Sequence, residues 1–143
     1  MSHLGPVLVA VVLSLVSPAT REIEGIFLRG EAAGFEKLTS SDACLIVSFS
    51  GPVGFSDLLT GEQTVLWFRK LFRQFRTIGF YPEAPVFEGG AFVFKARWEV
   101  EAPDRRQQAY DIFFLIRRRP SAAGPPGRRA GFWSLLQIRA ERR

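Results

Sequence analysis

The segment GEQTVLWFRKLFRQFR, residues Gly61 to Arg76, decides the fold of this chain. Four of its apolar residues recur at intervals of three and four, the spacing of one helix face: Val65, Phe68, Phe72 and Phe75. Leu71 lies beside them. Basic residues lie largely off that face. Because a helix with one apolar face has to bury it, the segment predicts an amphipathic helix that packs on another layer of the domain.

The second layer is predicted downstream, where the period of the apolar residues changes to two. Four strands follow the helix: 80–88, 91–101, 107–117 and 132–140. The first contains Pro82 and Pro85, which cannot donate to a ladder, so it belongs at a sheet edge. Gly89-Gly90 predicts a tight hairpin into the second strand. In that strand, one face carries large apolar side chains: Phe92, Phe94, Trp98 and Val100.

The part of the chain before the helix predicts one more helix and one more strand. Residues 22–38 read as a helix in which Gly30 and Gly34 weaken the structure or admit a close neighbour. Residues 45–49 are predicted to form a strand, and Cys44, at its start, is predicted to be buried. Residues 53–60 are predicted to form a loop or a short crossing strand. The predicted fold class is α+β, with N-terminal helices packed on a strongly curved, mainly antiparallel sheet.

The N-terminus has the pattern of an export signal. An apolar run from Leu4 to Val16 is too short to cross a bilayer comfortably, and Ser17-Pro18-Ala19 places small residues where a peptidase cleaves. We expect a signal peptide at 1–19, cleavage after Ala19, and a single domain at 20–143 in the periplasm or outside the cell. A buried strand or an uncleaved membrane anchor are the alternatives.

The composition limits the chemistry of the predicted mature chain. Of 143 residues, one is a Cys and one is a His, and that His is His3, inside the predicted signal peptide. A single Cys forms no disulfide within the chain. Because no His follows residue 19, the Ser-His and Cys-His arrangements of nucleophilic catalysis are excluded for the predicted mature chain. Neither a metal cluster nor a Gly-rich phosphate loop is found, so no metal and no cofactor are expected.

The order helix, strand, helix and antiparallel meander resembles the nuclear transport factor 2-like (NTF2-like; SnoaL-like, cystatin-like) superfamily over residues 22–140. The segments Glu62-Gln63-x-x-Leu66-x-Phe68 and Trp133 to Arg139 are similar to small exported bacterial domains of unknown function in that superfamily. The resemblance implies a sheet that curls around the helices and leaves a pocket at its open end. Members include enzymes, ligand-binding proteins and dimerising modules, so the fold selects no function.

Four residues are candidates for a ligand pocket: Arg97, Trp98, Tyr110 and Asp111. The resemblance implies that isomerase relatives use a Tyr with carboxylic acids, which points to the Tyr110-Asp111 pair. Adjacent strand residues point to opposite faces, however, so the two share a pocket only across a bulge. Asp111 lies either at a pocket mouth with a raised pKa or in an ion pair with an Arg such as Arg97.

Arginine residues cluster around the loop predicted at 117–131, which is rich in Pro and Gly. Five of them are candidates for an anionic partner: Arg117, Arg118, Arg119, Arg128 and Arg129. Behind a signal peptide, such a cluster points to an anionic component of the cell envelope and not to nucleic acid. The alternative is a solvated basic loop that aids solubility.

The sequence leaves three functions open. The first is a non-catalytic exported domain whose curved sheet dimerises or binds a small apolar ligand. The second is a His-free isomerase or lyase with Asp111 as the base and Tyr110 or Arg97 as the stabilising group. The third is an adhesion module that binds the envelope surface through its Arg-rich loop.

Overall fold

The computed structural model describes residues 18–39, 43–51, 54–119 and 133–143. Helix α1 spans residues 18–29 and is followed by a 3-10 helix at Ala32–Leu38; α2 spans Gly61–Gln74. The described residues also form seven strands: β1 (Cys44–Phe49), β2 (Phe55–Thr60), β3 (Arg76–Pro82), β4 (Val86–Glu88), β5 (Ala91–Glu101), β6 (Gln107–Arg118) and β7 (Trp133–Arg142). Residues 1–17 and 120–132 lie outside the described part, with most of the predicted signal peptide and loop.

The strands form one open, curled sheet in the order β2-β1-β7-β6-β5-β3, with β4 paired to β5 beyond the end of β3. Strand β7 runs parallel to β1, and the remaining pairs are antiparallel. The predicted α+β class and mainly antiparallel sheet are confirmed. The strand predicted at 80–88 is divided into β3 and β4, but its predicted edge position is correct, because among the described strands both pair with β5 alone.

Helix α2 begins at the predicted residue, Gly61, and ends at Gln74, two residues before the predicted end, because Phe75 is extended and Arg76 begins β3. Thr60 Oγ1 accepts the N–H of Gln63, and the Gln63 side chain accepts the N–H of Thr60, so a capping box fixes the first turn. Val65, Phe68 and Leu71 are buried on the face that packs against the rest of the domain. Local pattern and tertiary burial therefore agree in this helix.

The single helix predicted at 22–38 is wrong. Gly30 has a φ of 65°, a left-handed conformation that ends α1, and the chain continues as the separate 3-10 helix. Gly34 lies so close to α1 that an added Cβ would stand 2.6 Å from Cγ1 of Ile26. The two glycines thus turn the predicted helix into a tight pair of elements.

Strands β1 and β2 form the first β-hairpin, where one prediction, the burial of Cys44, is wrong and an open alternative, at 53–60, is resolved. Cys44 is exposed, not buried, because residues of β1 alternate and the core side begins with Leu45. The loop or strand predicted at 53–60 is a strand, β2, which pairs antiparallel with β1. Among the described residues, no helix has both the length and the apolar character needed to span a membrane.

Aromatic rings fill the space between the helices and the sheet. Phe27 of α1 is fully buried at the centre of this cluster, with its ring centroid 4.9–6.1 Å from six others: Phe35, Phe68, Phe72, Phe80, Trp98 and Phe114. Edge-to-face and offset stacking at these distances adds to the free energy of area burial. The inner face of the sheet, toward the helices, is therefore a packed aromatic core.

Candidate functional site

The sheet has two chemically different faces, and the four pocket candidates are divided between them. Trp98 and Tyr110 are buried on the inner face, 1% and 2% exposed. Arg97 and Asp111 point to the outer face, away from the helices. Strands β5 and β6 pair without a bulge, and the register places Arg97 opposite Asp111 and Trp98 opposite Tyr110. The four side chains do not meet in one pocket.

On the inner face, both polar groups of the aromatic pair are satisfied within the protein. The rings of Trp98 and Tyr110 lie 5.6 Å apart. Trp98 Nε1 donates to Thr77 Oγ1 (2.9 Å), and the Tyr110 hydroxyl donates to Gln108 Oε1 (3.2 Å). Burial raises the pKa of Tyr110, with Arg142 acting in the opposite direction. Tyr110 is thus a neutral core phenol at physiological pH.

On the outer face, Asp111 is in an ion pair, but its partner is not the predicted one. Asp111 Oδ1 lies 3.0 Å from Nε of Arg143, whereas Nη2 of Arg97 lies 2.9 Å from Glu99 Oε1. The sequence offered Arg97 as one example of an Arg partner, and the register does place Arg97 opposite Asp111. Arg143 reaches Asp111 because β7 returns beside β6 and ends there.

Two of the cavities in the structure are shallow and lie away from the four candidates. One, of about 350 Å³, lies between the start of α1 and the β3–β4 connection; Arg21, Glu24, Glu83 and Phe94 contribute to its lining. The other, of about 300 Å³, lies where β1 and β7 end and β2 begins; its lining includes Ser48, Ser50, Ser56, Arg139 and Glu141. Neither includes Arg97, Trp98, Tyr110 or Asp111.

An apolar row crosses the outer face and was not found from the sequence. Register neighbours in six strands form it: Val86, Val93, Leu115, Gln137, Ile46 and Leu58. We call this set the outer row. Val86 is 68% exposed, Leu58 58% and Ile46 45%. Gln137 is the polar member among the six and separates two apolar stretches of the row, one of Val86, Val93 and Leu115 and one of Ile46 and Leu58.

Beside the outer row, Phe113 is held between two cations. Lys95 Nζ lies 5.4 Å from the centroid of its ring, and Arg139 Cζ lies 4.7 Å away. Both residues are register partners of Phe113, on the strands to either side. Cation–π contacts at these distances fix the ring in the middle of the face.

Three of the five candidates for an anionic partner lie in the described part of the chain, at one end of the sheet. Arg117 and Arg118 are exposed residues at the end of β6, so this part of the predicted loop is strand. Arg119 follows them, while Arg128 and Arg129 lie outside the described residues. The anionic partner stays a prediction. Within the described ranges, no group of His, Cys, Asp or Glu could hold a metal ion.

Comparison with solved structures gives matches over most of the chain at low identity. A DUF4783 family protein from Bacteroides uniformis is 9% identical, and the match covers 86% of this chain and 95% of that chain with a TM-score of 0.66. A hypothetical protein with a ketosteroid isomerase-like fold from Catenulispora acidiphila, in complex with trimethylamine, is 10% identical, with coverages of 85% and 82% and a TM-score of 0.60.

A design of the NTF2-like class with a long sheet is 13% identical, with coverages of 85% and 94% and a TM-score of 0.62. This chain has the NTF2-like fold. The resemblance seen in the order of its elements is thereby confirmed. No protein-family model and no curated protein matches the sequence. At these identities the NTF2-like likeness concerns fold alone, so function has to be argued from the chain's own residues.

Proposed function

We propose that this NTF2-like protein is a non-catalytic exported domain that forms a homodimer through the outer face of its sheet. The outer row carries the proposal. Isolated apolar side chains are common on protein surfaces, whereas a contiguous apolar strip points to an interface. Here the exposed side chains of Ile46 and Leu58 are adjacent, and Val86 continues the row with Val93 and Leu115 on the far side of Gln137.

A second copy of the chain suits this face better than an unrelated partner, because the surrounding charges are mixed. Beside the row, Lys95, Arg97 and Arg139 alternate with Glu99, Asp111 and Glu141. In a two-fold interface each patch meets a copy of itself, so a patch of one sign would repel its partner. A patch with both signs allows ion pairs across the two-fold axis.

The inner face gives less support to binding of a small apolar ligand. Its aromatic side chains contact one another and the helices, as the rings around Phe27 illustrate. The cavity of about 350 Å³ beside α1 has the volume of a ligand site, but Arg21, Glu24 and Glu83 contribute to its lining. A charged lining of this kind does not favour an apolar ligand.

The placement of the candidate acid and phenol argues against the isomerase hypothesis. A general base has to reach the same substrate as the group that stabilises the developing charge. Asp111 and Tyr110 point to opposite faces of β6, and Asp111 already pairs with Arg143. The outer face around Asp111 is open and half-polar, which is a setting for solvated ion pairs.

Replacing Ile46 with Asp tests the proposed dimer. In a two-fold interface the change occurs twice, and each loses about 1.5–3 kcal/mol of apolar burial and places a carboxylate at the contact. We expect the dimer dissociation constant to rise about 100-fold or more, since each 1.4 kcal/mol is tenfold. Analytical ultracentrifugation over a concentration series measures it.

Leu66→Asp is the matched control. Leu66 is 60% exposed but lies on α2, away from the outer face. The Leu66→Asp variant should therefore have the same mass in solution as the wild type. The proposal is contradicted if the wild-type protein still sediments as a monomer at about 100 µM, because even a weak, transient dimer would be populated at that concentration. It is also contradicted if Leu66→Asp and Ile46→Asp dissociate the dimer equally.

Export is the second part of the proposal and has its own test. Pro18 and Ala19 belong to α1 in the structure, and Ala19 is fully buried. Cleavage after Ala19 would therefore remove the first described residues of that helix and one core methyl group. The intact mass of the protein from its host decides the matter: loss of residues 1–19 supports export with the proposed cleavage site, and a full-length chain in the cytoplasm contradicts export.

A further inference from the structure

The edge strand β2 is unusual in how its outward backbone groups are used. An edge strand normally presents a row of unpaired N–H and C=O groups that invites pairing with another chain. In an antiparallel pair, the groups that face outward belong to every second residue. In β2 the residues whose backbone groups face outward are Ser56, Leu58 and Thr60. The backbone N–H groups of Leu58 and Thr60 show this direction, because they donate to side chains and not to β1.

Leu58 donates its backbone N–H to Oδ1 of the preceding residue, Asp57, at 2.7 Å. Thr60 donates its backbone N–H to Oε1 of Gln63 at 2.9 Å, as part of the capping box of α2. Two of the three outward donors of β2 are therefore occupied by side chains of the same molecule. Thr60 O also accepts a hydrogen bond from Thr64 Oγ1 at 2.8 Å.

Chain composition alone does not protect this edge. The strand FSDLLT has neither the Lys nor the Pro that commonly blocks edges, and it exposes Leu58 on the outer row. At the other end of the sheet, β3 carries a register irregularity between Thr77 and Gly79 and ends in Pro82. Edge β3 is thus closed by its backbone, whereas β2 depends on side-chain caps.

We propose that Asp57 seals the β2 edge against pairing with β2 of a second copy of the chain. Its carboxylate oxygen occupies the central outward donor of the strand. A second β2 would have to displace this hydrogen bond before it could pair with that donor. The inference is independent of the proposed dimer, which uses the face of the sheet and not its edge.

Asp57→Ala tests the seal, with Asp104→Ala as the matched control. Asp104 also accepts one backbone N–H, that of Arg106 at 3.0 Å, but it lies in the β5–β6 turn. Both variants lose one exposed carboxylate and one hydrogen bond from a backbone N–H. Asp104→Ala also loses an exposed ion pair with Arg106 (3.0 Å), a kind of contact that contributes little to stability. We expect Asp57→Ala to form species of about twice the wild-type mass or larger, because an opened edge pairs with another, while Asp104→Ala keeps the wild-type mass in light scattering.

Asp57→Asn separates the hydrogen bond from the charge. Its amide oxygen still caps Leu58, so we expect it to keep the wild-type mass. In dilute Asp57→Ala, the Leu58 amide should exchange with solvent about 2–10-fold faster than in the wild type, the effect of losing one net hydrogen bond. At high concentration that exchange should slow as edges pair. Wild-type mass for Asp57→Ala, association of Asp57→Asn, or concentration-independent exchange of the Leu58 amide would overturn the proposal.

Discussion

Replacing Phe27 with Ala should lower the free energy of unfolding by about 3–5 kcal/mol, the range for removal of a buried aromatic ring. The ring is fully buried and contacts rings from α2, the 3-10 helix and three strands of the sheet. Its loss removes apolar burial, several edge-to-face contacts and the filling of the space between the layers. Denaturant unfolding followed by fluorescence measures the change.

The neighbouring residue provides the control for this measurement. Leu28 lies on the same helix but is 53% exposed, so Leu28→Ala should change stability by no more than about 0.5 kcal/mol. Both substitutions alter the helix propensity of α1 to a similar small extent. If the two variants were equally stable, the packed arrangement of α1 on the sheet would be wrong.

The same variant also tests whether the inner face is a filled core. Removal of the Phe27 ring should leave a dry apolar cavity lined by aromatic side chains, and such cavities bind small apolar molecules. Benzene should then raise the melting temperature of Phe27→Ala by mass action and leave the wild type unchanged. A comparable shift in the wild type would indicate an apolar pocket that is already open, in favour of the ligand-binding hypothesis.

The sequence was sufficient to predict those elements whose bounds are fixed by residues within or next to the element itself. Strand β5 has the predicted bounds, Ala91–Glu101, because strict alternation and the Gly89-Gly90 turn fix both its face and its start. Helix α2 begins at the predicted residue because a capping box and an apolar stripe agree there. Such consistency between propensity and burial makes a segment predictable without its neighbours.

Features that depend on the pairing of distant strands were not predictable. The side of β1 that carries Cys44 follows from a sheet in which β1 lies between β2 and β7. The partner of Asp111 is Arg143 because β7 runs beside β6 and places the C-terminus there. A register shift of one residue would reverse either result, since it turns every side chain to the other face.

The outer row illustrates the same limit at the candidate interface. Each of its six strands contributes one residue, so no stretch of sequence contains more than one member of the row. Read singly, Ile46 or Val86 is an ordinary apolar residue of a strand. The register between the six strands is what brings these residues side by side. The candidate interface could therefore be found only from the structure.

Replacing Gly34 with Ala should destabilise the protein, whereas the same change at Gly25 should not. At Gly34, the new Cβ would stand 2.6 Å from Cγ1 and 3.0 Å from Cδ1 of Ile26, a fully buried side chain with no room to move. Overpacking of this kind costs about 1–3 kcal/mol, more than the 0.4–1 kcal/mol gained from a stiffer unfolded chain.

At Gly25, the nearest atoms are those of the Arg29 guanidinium, at 2.7 Å, on a side chain that is 58% exposed. Moving it into solvent costs only an exposed ion pair with Glu31, which contributes little to stability. Ala is favoured over Gly inside a helix by about 0.8–1 kcal/mol, so Gly25→Ala should be neutral or stabilising. Thermal unfolding of both variants measures the signs. Opposite signs support the close contact of the 3-10 helix with α1; stabilisation by both would favour the single continuous helix at 22–38, in which each Gly is only a weak helix former.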